Sequence, residues 1–240
     1  MYLKRGQALR DGDTVAIKDA DDFISLYSHE FTDRMASVAH ASYRLKGNTL
    51  GEFPDEADLR SLRDYQNVQI PRLMQQLKNG PDEFIWRELA ELTLARILVF
   101  NARRGSEAAE LDMKDYTAAT NVVDPELADS LSTVEKQLIQ RLTVITVTGK
   151  RDRPVPVLLT TDMSNALQVL IECRSQCGIV DGNSFLFTLP RSGKGHLNFY
   201  GTLRRVAHKA KLQKPHLLTT TRLRKHLATM AQVVCLLLSL

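Results

Sequence analysis

Apolar residues recur every three to four positions along much of this chain, which is the period of an amphipathic helix. One such run covers residues 23–39 and follows Asp19 or Asp21 as the N-cap, and another covers 59–77 with a kink predicted at Pro71. The run over 84–100 is apolar on more than one side, so we expect a central, buried helix there.

The pattern changes at two β-branched runs, 143–147 and 154–159, which flank a polar turn containing Gly149. Such a pair predicts an antiparallel hairpin, and its prolines favour an edge position. Helical spacing returns after Asp162, at about 198–211 and at about 219–238, whereas residues 1–18 show no long period and are predicted to form a loosely held arm. The sequence therefore predicts a mainly α fold with a small antiparallel β element.

The stretch Asn79-Gly80-Pro81 is the clearest break in the chain. We expect a small helical region over 1–80 and a second domain over 81–240. A length of 240 residues, with 43% hydrophobic and 25% charged residues, suits a globular protein of one or two domains. No apolar run reaches the roughly 20 residues that span a bilayer, so no membrane-spanning segment is expected.

The charges are distributed unevenly along the chain. Asp181 is the last acidic residue, and residues 182–240 hold ten Lys or Arg, whereas residues 1–181 carry a net charge of −6. This asymmetry favours an anionic partner, with nucleic acid first and a membrane surface second. The alternative is a basic face that the acidic body of the same protein neutralises.

Metal and cofactor motifs are weak. His29, Glu30 and Asp33 resemble a metalloprotease helix motif that has lost its second histidine, and Cys173 and Cys177 lack a second pair of ligands. No metal, no small-molecule cofactor and no disulfide framework are predicted, and a reducing, intracellular compartment is the simplest reading.

Four stretches occur in a fixed order: 94–116, which contains Arg-Arg-Gly-Ser-Glu; the hairpin with Gly149-Lys150 and Arg153-Pro-Val-Pro; Ser184-Phe-Leu-Phe-Thr-Leu-Pro; and Thr221-Arg-Leu-Arg-Lys-His-Leu-Ala-Thr. In this order the chain resembles the catalytic domain of the tyrosine recombinase, or phage integrase, family over about residues 82–232. The resemblance implies a DNA breaking-and-rejoining fold. It also implies that Arg104 and Arg224 clamp a backbone phosphate and that Lys150 acts as general acid.

Further cations near these motifs are expected to contact DNA phosphates. They are Arg204, Arg205, Arg222, Lys225 and His226. Duplex DNA, and not a membrane, is thus the predicted partner, with a nuclear location and possible self-association.

The chain departs from the family pattern in its last part. Thr221 and Lys225 stand where the family has histidines, and no tyrosine follows Arg224, although the family's nucleophile is a tyrosine in that region. The resemblance therefore implies a C-terminally truncated domain that binds DNA without cleaving it, since covalent catalysis requires a nucleophile. Two alternatives stay open: an active, metal-independent recombinase with a nucleophile supplied in trans, and a helical protein-interaction module with a basic C-terminal face.

Overall fold

The computed structural model describes residues 2–26, 52–119, 142–149 and 152–238. The chain forms two compact units, Met1–Gly51 and Glu52–Leu240. Of the helix that the apolar run 23–39 predicts, residues 27–39 lie outside the described residues.

Two helices make up the described part of the first unit, α1 (Tyr2–Asp11) and α2 (Thr14–Leu26). Gly12, with φ of 70°, allows the turn between them, and the Asp13 carboxylate accepts hydrogen bonds from the first amides of α2. An Arg5–Asp21 ion pair of 2.5 Å joins the two helices. The prediction of a loosely held arm over 1–18 is therefore wrong, because a short helix with its own turn and cross-helix pair needs no long apolar period.

The second unit contains seven further helices among its described residues and one hairpin. They are α3 (Glu56–Asn79), α4 (Glu83–Asn101), α5 (Gly105–Ala109), α6 (Met113–Thr117), β1 (Leu142–Thr148), β2 (Pro154–Thr160), α7 (Thr161–Glu172), α8 (Phe199–Lys209) and α9 (Thr220–Leu238). The fold is mainly α with a small antiparallel two-stranded sheet, as the sequence predicts.

Helix α4 is the centre of the second unit. Asp82 caps it by accepting hydrogen bonds from Phe84 and Ile85, and every residue from Leu89 to Ala95 is buried. The indole N–H of Trp86 donates to the Leu170 carbonyl at 2.9 Å, which fixes α7 against α4. The predicted buried helix is confirmed.

The hairpin pairs Leu142 with Thr160 and Thr148 with Pro154, in the predicted antiparallel arrangement. Asn101, at the end of α4, donates to the Leu158 carbonyl at 2.9 Å and accepts from the Leu158 amide at 2.8 Å. The Asn101 side chain thus hydrogen-bonds both backbone groups of Leu158 and attaches the hairpin to the central helix.

Helix α3 runs through Pro71 and buries Leu62, Ile70, Leu73 and Leu77 in the same core as α4. The predicted division near residue 80 stays a prediction, and in the structure α3 and α4 pack together on either side of it. Among the described residues, no helix is both long enough and apolar enough to cross a membrane.

Candidate nucleic-acid interface

The basic residues of segment 182–240 fall into two groups. Four of the ten pair with carboxylates of α4 or of the α3 N-terminus: Arg191 with Glu83 at 2.7 Å, Arg205 with Glu91 at 2.9 Å, Lys209 with Glu88 at 2.7 Å and Lys214 with Asp55 at 3.2 Å. The alternative reading of the sequence, a basic segment neutralised by the acidic body, thus describes part of this segment.

The other six form no ion pair within the part of the chain that the structure describes. They are Lys194, Arg204, Lys211, Arg222, Arg224 and Lys225. We refer to these six as the unpaired cations. Since segment 182–240 contains no acidic residue, they leave a positive charge along α8, α9 and the adjoining loops.

A cavity of about 310 Å³ lies between α8 and the segment that precedes α9. Its lining consists of Tyr200, Arg204, His208, Pro215, His216, Leu218 and Thr219. Arg222 borders the same place, because its guanidinium donates to the His216 carbonyl at 2.8 Å. Among the described residues that line the cavity, none is acidic, so the site suits an anionic group.

Side-chain caps define where the two helices that carry these groups begin. The Asn198 side chain accepts from the Gly201 amide at 2.9 Å and caps α8, and the Thr219 hydroxyl accepts from the Arg222 amide at 3.3 Å at the start of α9. Leu223 is buried, whereas Arg224 and Lys225 are exposed. The His226 ring lies 5.6 Å from the Phe53 ring, centroid to centroid, so this predicted DNA contact has an aromatic neighbour.

Arg104 stands at the N-cap of the short helix α5, which the sequence patterns did not predict. Its guanidinium is 3.5 Å from the Glu107 carboxylate and its side chain is 52% exposed. Gly105 lies so close to the Phe199 ring that any side chain there would overlap it, and this contact places the Arg104 turn beside the start of α8.

The turn of the β1–β2 hairpin also approaches α5. A Cβ atom on Gly149 would lie 3.4 Å from Oε1 of Glu107, so the turn before Lys150 and the partner of Arg104 are neighbours. Lys150 itself lies outside the described residues. The convergence of Arg104 and Arg224 on one phosphate stays a prediction.

Four tyrosines belong to the described residues: Tyr2, Tyr65, Tyr116 and Tyr200. Burial raises the pKa of Tyr65 and of Tyr116, which disfavours their phenolates. Tyr200 is 61% exposed and lines the same cavity as Arg204.

Sequence reasoning missed the acidic partners of this region. Asp58 and Glu91 are both 5% exposed, and both bind residues of segment 205–214. The available signal was Glu91, whose chain neighbours Ala90 and Leu92 are apolar, because a carboxylate inside a buried helix requires a partner. Among the described residues, no group of His, Cys, Asp and Glu could hold a metal ion.

Comparison with known proteins gives a sparse result. No protein-family model matches the chain, and no curated protein matches it significantly. Among solved structures, it is similar to the XerH site-specific recombinase bound to its difH substrate in a pre-cleavage complex, with a TM-score of 0.39 and 19% identity over 65% of this chain and 40% of that one.

The post-cleavage complex of XerH with a palindromic difH substrate is also similar, with a TM-score of 0.39 and 20% identity over 66% of this chain and 38% of that one. This chain therefore spans about two fifths of the length of these recombinases.

Proposed function

We propose that this protein binds duplex DNA through the unpaired cations of α8, α9 and the adjoining loops. The observation that carries the proposal is the division of the basic segment. Four of its cations are neutralised by carboxylates of the same protein, and six are not. Of these six, Arg204 lines the cavity and Arg222 borders it, and a set of cations without acidic partners fits a polyanion.

Duplex DNA suits this surface better than a single small anion. The six unpaired cations are distributed over α8, α9 and the adjoining loops, and DNA offers a phosphate charge at every 1.7 Å or so of its axis, whereas a small anion offers a single site. Arginine binds phosphate through a planar fork, which favours Arg204, Arg222 and Arg224 as phosphate contacts. A nuclear location is part of this proposal.

The proposal includes tyrosine-recombinase ancestry. This ancestry is supported by the four motifs that occur in the family's order along the chain. It is also supported by the approach of the Gly149 turn to Glu107, the partner of Arg104. We assign no strand cleavage to this chain, because the arginines stabilise charge on a phosphate but do not attack it.

Binding is tested by fluorescence anisotropy of a labelled 30-base-pair duplex at increasing salt. Phosphate contacts predict an affinity that falls steeply between roughly 50 and 200 mM salt, with a slope of about −0.9 for each neutralised phosphate. Absence of binding at 50 mM salt, or an affinity indifferent to salt, contradicts the proposal.

Cleavage is tested separately with a nicked suicide duplex, denaturation and a search for a covalent protein–DNA adduct. Tyr200 makes this experiment necessary, because it is exposed beside Arg204. We expect no adduct. An adduct that Tyr200→Phe or Tyr116→Phe abolishes would replace our proposal with an active recombinase.

A further inference from the structure

The two buried acidic side chains Asp58 and Glu91 both contact the segment that carries the unpaired cations. Each is only 5% exposed, although Asp and Glu are rarely buried unless they are paired. Asp58 belongs to α3 and Glu91 to α4, so the two carboxylates reach this segment from different helices.

Glu91 holds α8 through Arg205. The Arg205 Nε lies 3.1 Å from Oε1 and 3.2 Å from Oε2 of Glu91, and its Nη2 lies 2.9 Å from Oε1. The same Nη2 donates to the Thr202 hydroxyl at 3.3 Å, and Arg87 donates to Glu91 at 3.2 Å. A two-pronged contact of this kind restrains the rotation of a helix as well as its distance from a neighbour.

Adjacent residues of an α-helix differ by about 100° in direction. With Arg205 fixed on α4, Arg204 takes another direction and lines the cavity with Tyr200 and His208, one helical turn on either side of it. Together with the buried Leu203, Val206 and Ala207 of the same helix, the Glu91–Arg205 contact sets which face of α8 is available to a ligand.

Asp58 holds the chain that follows α8. Its two carboxylate oxygens accept hydrogen bonds from the backbone amides of Gln213 at 2.8 Å and Lys214 at 2.9 Å. This segment continues into Pro215 and His216, which line the opposite side of the cavity. Asp58 thus positions one wall of the cavity, and Glu91 positions the other.

We propose that Glu91 and Asp58 are positioning residues for the DNA-binding surface: they hold α8 and the segment before α9 at the separation and rotation that binding needs. This inference rests on the proposed function. By charge alone, two acidic residues near this surface would oppose DNA binding. The inference is that they support binding, because they hold the surface in place.

The chain offers a matched control for each residue. Glu88 lies on the same helix as Glu91 and pairs with Lys209 of α8, but its side chain is 32% exposed. Asp55 pairs with Lys214, which neighbours the Asp58 contact, and is 47% exposed. Glu91→Gln and Glu88→Gln each remove one negative charge, as do Asp58→Asn and Asp55→Asn.

If the carboxylates act through their charge alone, Glu91→Gln and Asp58→Asn should not weaken DNA binding. If they position the surface, both variants should weaken it. Removal of a negative charge near the surface leaves DNA affinity unchanged or raises it, and we expect that result for Glu88→Gln and Asp55→Asn. Positioning predicts that Glu91→Gln and Asp58→Asn weaken DNA binding about tenfold. Affinity is measured on variants whose circular dichroism spectrum shows the full native helix content.

Hydrogen–deuterium exchange of the free protein supplies the second readout. We expect Glu91→Gln to speed exchange of the α8 amides by about tenfold or more, and Asp58→Asn to do the same at 211–218, whereas the two controls leave both segments unchanged. The double variant Glu91→Gln, Arg205→Gln replaces the ionic contact with a neutral one and should restore much of the α8 protection.

Equal affinities for Glu91→Gln and Glu88→Gln, together with unchanged α8 exchange, would overturn the inference. If Glu91→Gln does not fold, the Asp58→Asn and Asp55→Asn pair decides it by the same two readouts. If the wild-type protein binds no DNA at low salt, the proposed function fails, and the exchange data alone show whether the two carboxylates order this segment.

Discussion

Arg204 and Arg205 are adjacent in the chain, yet the first lines a cavity and the second is held by Glu91. Arg204→Gln should lower DNA affinity and reduce the magnitude of the salt slope by about 0.9, the contribution of one phosphate contact. Its effect on the free energy of unfolding should stay within about 0.5 kcal/mol, because the residue is exposed.

Arg205→Gln should have a different effect. It leaves the buried Glu91 with Arg87 as its remaining cationic partner, and we expect a loss of about 2 kcal/mol in the free energy of unfolding. The loss is smaller than for a fully buried pair because 43% of the Arg205 side chain is exposed. Urea unfolding of the two variants measures this difference, and equal stabilities would contradict it.

Cys177 should be unreactive in the native protein. Burial, followed by the nearby Cys173, raises its pKa to about 11, so the thiolate at pH 8 is about a hundredfold scarcer than for an ordinary thiol. Iodoacetamide labelling followed by peptide mass spectrometry should show slow modification of Cys177 in native protein and rapid modification in urea. Fast native labelling would show that the site opens readily.

Asp112 should contribute to stability in a pH-dependent way. A hydrogen bond with the Ser184 side chain, and then one from the Lys114 amide, lower its pKa below the ordinary value. A depressed carboxyl pKa stabilises the fold above the unfolded pKa of about 4, and this stabilisation is lost as the pH falls through the lower folded value.

Asp112→Asn should therefore destabilise the protein more at pH 7 than at pH 3, measured by urea unfolding at both values. The variant keeps a side-chain acceptor for the cap of α6, so the pH dependence isolates the charge. A difference that is the same at both pH values would contradict the ionic contribution.

At the scale of elements, Gly105 decides how closely α5 approaches α8. Gly105→Ala should destabilise the protein by about 1–3 kcal/mol, because a methyl group there would overlap the Phe199 ring. Gly182→Ala is the control, since no atom lies within 4 Å of the added methyl group. Thermal unfolding compares the two, and an equally stable Gly105→Ala protein would show that α5 and α8 separate easily.

Periodicity predicted the long elements well. The apolar run of α4 and the β-branched runs around Gly149 are determined by local pattern, and the structure has them as expected. The short helices α5 and α6 escaped detection because five residues give too little period. The prediction for residues 1–18 was wrong for a different reason, since the Asp13 cap of α2 and the Arg5–Asp21 ion pair stabilise this pair of helices without a long apolar period.

The candidate site shows a further limit of sequence reasoning. The excess of Lys and Arg in residues 182–240 could be recognised from the sequence. Which of these cations are neutralised could not, because that depends on contacts between residues more than a hundred positions apart, such as Glu91 with Arg205 and Glu88 with Lys209. Adjacent arginines with different surroundings cannot be distinguished without the packing of α8 on α4.

At the scale of the whole molecule, we propose that the core around α4 in the second unit neutralises part of the basic segment and leaves the remaining cations to bind DNA. Two triple variants with the same change in net charge test this division. One neutralises unpaired cations, with Arg204, Arg224 and Lys225 changed to Gln, and the other neutralises paired ones, with Arg191, Lys209 and Lys214 changed to Gln.

The salt dependence of duplex DNA binding by these two variants and the wild type is the most direct measurement. We predict that loss of the three unpaired cations reduces the slope of log affinity against log salt by about 2.7 in magnitude, whereas loss of the three paired cations leaves the slope unchanged. Equal slopes for the two variants, or no binding by the wild type at 50 mM salt, would contradict it.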